Sequence, residues 1–114
     1  MTAEPAPADA RHAAALQALA DPNRRAIVEI LATGACSVQS IADRLPISRP
    51  AVSRHLRLLK EAELVTDQVV GTQRIYRLCG DGVDAVRTYF EQLWGDAAAR
   101  YRLAVENLPG RGAP

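Results

Sequence analysis

The sequence of 114 residues contains no run of about 18 apolar residues, so no segment reads as membrane-spanning. Its opening, MTAEPAPADA, has neither a basic start nor an apolar stretch behind it. A secretion signal is therefore not expected, and the reading places the chain in the cytoplasm. Cysteine is scarce, with only Cys36 and Cys79. Two thiols cannot build a disulfide framework, and a cytoplasmic chain keeps them reduced. Histidine is equally scarce, with only His12 and His55. No Ser-His-Asp spacing, no Gly-rich phosphate loop and no carboxylate pair of catalytic type occurs. An enzyme is not expected, and no cofactor or metal site is assigned. Internal repeats are absent, and the length suits one domain with a modest core.

Positive charge is present, and it is unevenly placed. The formal net charge is only +1. Residues 1–43 carry three Arg against five acids, and residues 61–114 carry six Arg against eight acids. Between them, residues 44–60 hold Arg44, Arg49, Arg54, Arg57 and Lys60 with no acid at all. Such a patch can focus a field on an anionic partner although the molecule as a whole is almost neutral. The plainer alternative is a solvated helix face.

The pattern of apolar residues, caps and breakers predicts five helices and one hairpin between two loose tails. Residues 1–8 are rich in Ala and Pro, and NLPGRGAP at 107–114 is rich in Pro and Gly, so both ends are expected to fray. The domain spans 9–106. A first helix runs from about Asp9 to Ala20, with Leu16 and Leu19 on one face. Asp21 then offers an N-cap, and Pro22 sits at the first helical position, where its missing N–H costs nothing. This second helix stops before Gly34. Ser37 caps a third helix over 38–45, which Pro46 ends. Ser48 caps a fourth over 48–63, in which Val52, Leu56 and Leu59 recur at helical spacing. The runs LVTDQVV and QRIYRL, joined by Gly71-Thr72, suit a hairpin with a type II′ turn. A last helix, about Gly82 to Asn107, repeats Val83, Val86, Phe90, Leu93, Ala97, Tyr101, Ala104 and Leu108 at threes and fours.

Only Pro46-Ile47 separates the third and fourth helices, which forces the sharp turn of a helix-turn-helix. In that motif the second helix enters the DNA major groove, and its N-terminal residues meet base edges. The residue types fit. Ser48, with the free N–H groups of a helix start that includes Pro50, can hold a phosphate. Arg49 and Arg54 can reach phosphate or form the paired contact to guanine, and Ser53 can bond to either kind of base pair. Arg57 and Lys60 lie further along and suit the DNA backbone. The hairpin forms a wing, with Thr72, Gln73 and Arg74 near its tip. Ser37 and Gln39, at the start of the first helix of the motif, complete the candidate DNA-binding set. His55 lies between the apolar stripe and the charged face, and is expected to pack there and bond to backbone or phosphate. A helix as long as the last one cannot bury its stripe on so small a domain. Phe90, Leu93, Trp94 and Tyr101 need a partner surface, which a symmetric dimer would supply.

The segments ALADPNRRAIVEIL, SVQSIADRLPISRPAVSRHLRLLKEAELV and GTQRIYRL resemble the ArsR family of bacterial winged-helix transcription repressors. The likeness covers roughly residues 12–103, and the spacing S-x-x-x-V-S-x-H-L-x-x-L carries most of its specificity. The resemblance implies a mainly helical winged helix-turn-helix with a small β-hairpin wing. It further implies a homodimer built from the first and last helices, bound to a palindromic DNA operator and repressing, often at its own operon. The implied dimer interface is Leu16, Leu19, Val86, Phe90, Leu93, Trp94, Ala97 and Tyr101. Many such relatives sense metals or arsenite through cysteines on the first helix of the motif. The aligned positions here are Ser37, Gln39 and Ala42, which cannot replace soft thiolates. A second family site, on the last helix, needs a histidine that this sequence lacks beyond His55. The chain is therefore similar to a metal-free branch. A sensor built from His12, Cys36 or Cys79, and a winged helix turned to protein binding, are the alternatives. The inducer, if there is one, is not written in the sequence.

Overall fold

The computed structural model describes residues 8–108. The element order is α1 (Ala8–Ala18), α2 (Pro22–Ala32), β1 (Cys36–Ser37), α3 (Val38–Ala42), α4 (Arg49–Glu61), β2 (Val65–Val70), β3 (Gln73–Leu78) and α5 (Gly80–Glu106). Of the expected frayed segments only Ala8, Asn107 and Leu108 are among the described residues: α1 begins at Ala8, Asn107 caps α5, and Leu108 N donates to Val105 O at 3.4 Å. The expected caps set the helix starts. The Asp21 carboxylate accepts from the N–H groups of Asn23 and Arg24 at 2.8 and 3.1 Å. Ser37 Oγ accepts from Ser40 N at 3.1 Å, and Ser48 Oγ from Ala51 N at 3.3 Å. Each satisfies a helix-start donor that has no partner inside its own helix.

Several boundaries differ from the sequence reading. The third helix stops at Ala42, three residues before the expected Leu45, and Asp43 and Arg44 continue as a turn. The fourth begins at Arg49 and ends at Glu61, because Ala62 and Glu63 form its C-terminal cap. Glu63 takes the left-handed conformation (φ 63°), and Leu64 N donates back to Leu59 O at 3.0 Å. The last helix starts at Gly80, two residues early, with no side-chain cap at Cys79.

The wing is also more than a hairpin. β1 pairs antiparallel with β3, giving the three-stranded order β1-β3-β2. Cys36 faces Tyr76 and Ser37 faces Ile75, so the strand leading into α3 is stitched to the wing. At the hairpin turn, Val70 pairs with Gln73 across Gly71-Thr72. Gly71 has φ 62° while Thr72 does not, the combination a type II′ turn requires.

The core is built from one side of α2, α3 and α4 and the base of the sheet. Ile27, Ile41, Val52, Leu56, Leu59 and Val65 are all essentially inaccessible. Removing this apolar area from water is the main force holding the three helices together. At the far side of α4, Gly82 in the first turn of α5 lies directly on the α4–β2 corner. A Cβ there would stand 2.0 Å from the carbonyl oxygen of Glu63, so no side chain fits. From that joint α5 runs outward, and the molecule reaches 70 Å in its longest dimension.

Candidate nucleic-acid interface

The α3–α4 pair presents one cationic face. Along α4, Val52, Leu56 and Leu59 point into the core, while Arg49, Ser53, Arg54, Arg57 and Lys60 are exposed. The separation follows from helical periodicity, since the apolar residues recur at threes and fours and the cations fill the other positions. The motif's internal angle is fixed by side chains as well as by packing. Arg49 Nη1 donates to Gln39 Oε1 at 3.3 Å, and Gln39 Nε2 donates to Asp43 Oδ1 at 2.7 Å. Gln39 thus ties α3 to the first turn of α4. Among the described residues, no hydrogen bond or ion pair engages Arg54 or Arg57. Their guanidinium groups are free to meet an anion.

The other expected positions divide into three groups. Ser48, Pro50, Thr72 and Gln73 are exposed, the first two at the start of α4 and the others at the wing tip. Ser37 is half-buried, with its hydroxyl committed to capping α3. Lys60 and Arg74 are exposed but not free, because both bond to the Asp67 carboxylate.

His55 packs against the motif, as its position between the apolar stripe and the charged face suggests. It is 6 % exposed and lies on the core side of α4. Its Nδ1 stands 3.4 Å from Nη1 of Arg24, whose Nε donates to the carbonyl of Ala18 at 2.6 Å. A guanidinium only donates, so Nδ1 is the acceptor here. The imidazole therefore connects α4 to the corner between α1 and α2 and is not turned toward a ligand. The expected packing of His55 holds, and its partner within the chain is the Arg24 side chain rather than a backbone group.

The candidate interface residues on α1 and α5 form a second surface. No residue of α5 is buried. Phe90 and Leu93 are each half exposed, Trp94 is 72 % exposed and Tyr101 70 %. Ala97 is exposed as well, whereas Leu16 is half-buried, and Leu19 and Val86 are partly buried against the core. Large apolar side chains thus form one uncovered stripe on a long helix, the kind of exposed patch that interaction sites use.

Within one chain, the residues of the alternative sensor site, which would have to combine across subunits, are brought together only in part. His12 and Cys79 line the same cleft of about 460 Å³ between α1, the end of α4 and α5, and the His12 ring stacks on Tyr89 at 4.6 Å. Cys36 belongs to β1, with its thiol 3.5 Å from the carbonyl of Gly34. Among the described residues, no group of three or more His, Cys, Asp or Glu side chains could hold a metal ion. No helix among them is long and apolar enough to cross a membrane.

Comparison with known proteins agrees with this geometry. A helix-turn-helix domain family matches residues 19–68, the span from the end of α1 to the middle of β2. The HTH-type transcriptional regulator Rv2034 of Mycobacterium tuberculosis is 48 % identical over 93 residues, covering 82 % of this chain and 87 % of the relative. An ArsR-like transcriptional regulator from Rhodococcus sp. RHA1 superposes with a TM-score of 0.74 at 30 % identity, over 92 % of this chain and 97 % of that one. A homodimeric winged helix-turn-helix DNA-binding domain from Mycobacterium bovis, a possible ArsR-family regulator, superposes with a TM-score of 0.63 at 28 % identity. That likeness covers 88 % of this chain and 95 % of the other. With a recognition helix whose free arginines face outward and a wing beside it, the chain belongs to the ArsR family of winged helix-turn-helix DNA-binding transcriptional regulators, and it is not an enzyme.

Proposed function

We propose that this chain acts as a homodimeric repressor that occupies a palindromic DNA operator, its own promoter included, without a metal cofactor. The observation that carries the reading is the contrast on one small domain between the outward cationic face of α4, with Arg54 and Arg57 unengaged among the described residues, and the uncovered apolar stripe of α5. In this reading Ser48 and the first turn of α4, containing Arg49 and Pro50, seat the helix on phosphate. Ser53 and Arg54 read base edges, and Arg57 holds the DNA backbone. Ser37, Gln39, Thr72 and Gln73 line the flanks of the same surface. Gln39 acts by holding Arg49 in place. The apolar stripe of α5 pairs with its copy in a second chain, and α1 with Leu16 and Leu19 completes the interface. A two-fold dimer reads two equal half-sites, and occupancy of a promoter blocks polymerase.

The residue types support independence from metal. Ser37, Gln39 and Ala42 stand where thiolates would be needed, and α5 has no histidine. The homodimeric relative from Mycobacterium bovis supports the assembly.

The test is binding of the purified chain to its own upstream DNA at two salt concentrations, with and without Zn²⁺ and an oxidant. Tight, sequence-dependent binding unaffected by either addition is expected. Release by Zn²⁺ would replace this reading with a metal sensor, and release by oxidant with a sensor using Cys36 or Cys79. Binding no tighter than to random DNA would remove autorepression.

A further inference from the structure

Asp67 sits in the middle of β2, pairs across the sheet with the buried Tyr76, and lies two residues beyond the buried Val65. Side chains alternate along a strand, so Asp67 shares the face that packs toward α4. Its side chain is only 7 % exposed. One carboxylate oxygen accepts from Lys60 Nζ, in the last turn of α4, at 2.7 Å. The other accepts from Nη1 of Arg74, near the start of β3. Hydrogen bonds from Lys60 first and Arg74 second hold the carboxyl below its ordinary range, so it stays ionised wherever the protein is folded near neutral pH.

This arrangement joins two elements that the DNA-binding surface needs in one orientation. Beyond Asp67 the wing is a two-stranded ribbon whose residues 68–74 are all exposed. A ribbon of that kind has little stability of its own. The Asp67 carboxylate ties its base to the recognition helix. It also changes the charge offered to DNA, because the three groups together present one net positive charge in place of two.

We propose that Asp67 is a positioning residue for sequence discrimination: by holding Lys60 and Arg74 on one carboxylate, it fixes the wing against the recognition helix and withholds both cations from indiscriminate phosphate binding. The inference rests on the DNA-binding reading above and deepens it.

The experiment compares the full-length wild type with Asp67→Asn, Asp67→Glu and Arg74→Gln. Each is titrated over a range of salt with a random duplex and with the duplex that the wild type selects from a randomised pool. Thermal unfolding is recorded beside it. For Asp67→Asn, the random-DNA salt slope should steepen by about 0.9 for each released cation, with about five-fold tighter random binding per cation near 0.15 M salt. The selected duplex gains less, so the ratio of selected to random affinity falls. Asp67→Glu keeps the charge and should keep the wild-type slope. Arg74→Gln should leave the random-DNA slope where it was.

An unchanged slope and ratio in Asp67→Asn, while the wild type discriminates, overturns the inference alone. So does weaker binding to the selected duplex with an unchanged random-DNA slope, which would make Asp67 merely structural. If Asp67→Asn does not fold, Arg74→Gln decides. A random-DNA slope flatter by about 0.9 in that variant means the arginine already sits on phosphate, and the inference falls. A wild type that selects no duplex removes the DNA-binding reading itself, and the inference with it.

Discussion

The helices α4 and α5 are both amphipathic, and they use that property in opposite ways. In α4, four of 13 residues are buried, and Val52, Leu56 and Leu59 are spent on the chain's own core. In α5, none of 27 residues is buried, and Trp94 and Tyr101 stand almost bare. A helix that hides its apolar side leaves its polar side for a ligand, here a row of cations. A helix that leaves its apolar side uncovered has that side available for a partner. One domain thus offers two surfaces of different chemistry, and substitutions on the two helices should fail in different ways.

The largest effect is expected on α5. Leu93→Asp puts a charge into the uncovered stripe and should convert the proposed dimer to a folded monomer. Operator affinity should drop by a factor of about 10² or more, because the two half-sites no longer act together. Sedimentation equilibrium and DNA titration check both parts, and retention of both would remove this helix from the interface. Next comes the core side of α4. Leu56→Ala should cost about 2–5 kcal/mol by chemical denaturation, since a fully buried leucine leaves a cavity. A cost well under 1 kcal/mol would mean that this side of α4 is not packed as described. On the outward side, Arg54→Ala should leave stability alone and cut discrimination between operator and random DNA by about 1–3 kcal/mol. Equal losses on the two DNAs would make Arg54 a backbone contact.

The smallest effect is in acid. Asp21 and Asp67 are both held below the ordinary carboxylate value of 3.8, Asp21 chiefly by the N–H of Arg24 and Asp67 chiefly by Lys60. A depressed folded value means that the contribution to stability is present above the unfolded value and is lost as pH falls through the folded one. Melting temperature should therefore be insensitive to these two groups near neutral pH and decline below about pH 4. Asp67→Asn should remove part of that acid-side decline.

Local signals carried much of the fold. Asp21, Ser37 and Ser48 cap the helices whose starts they mark in the sequence, and Gly71 makes the turn that Gly71-Thr72 suggested. Strand β1 was not legible, because two residues, Cys36 and Ser37, show no periodicity, and their pairing with β3 is a contact between distant parts of the chain. The early start of α5 was hidden for a related reason, since no capping side chain announces it. The division of α4 into core and cationic faces could be read directly from spacing. The fates of His55 and of the cations could not. Arg24 and Asp67 lie outside the window of residues 44–60, and only the folded chain brings Arg24 to His55, or Asp67 to Lys60 and Arg74. A count of charge along the sequence sees five equivalent cations where the fold leaves Arg54 and Arg57 free and binds Lys60 to an acid.

Gly82 gives the molecule a mechanical character. Its bare backbone rests on the carbonyl of Glu63, so the first turn of α5 and the corner between recognition helix and wing meet as hard surfaces, with no flexible side chain between them. A helix of 27 residues is a lever about 40 Å long, and this contact is its fulcrum. A tilt of about 5° at the fulcrum swings the far end by about 3.5 Å. In the proposed dimer, where two such levers would cross, a small shift at their far ends would become a fine, stiff adjustment of the two recognition helices, and with it of the distance between the DNA half-sites they could span.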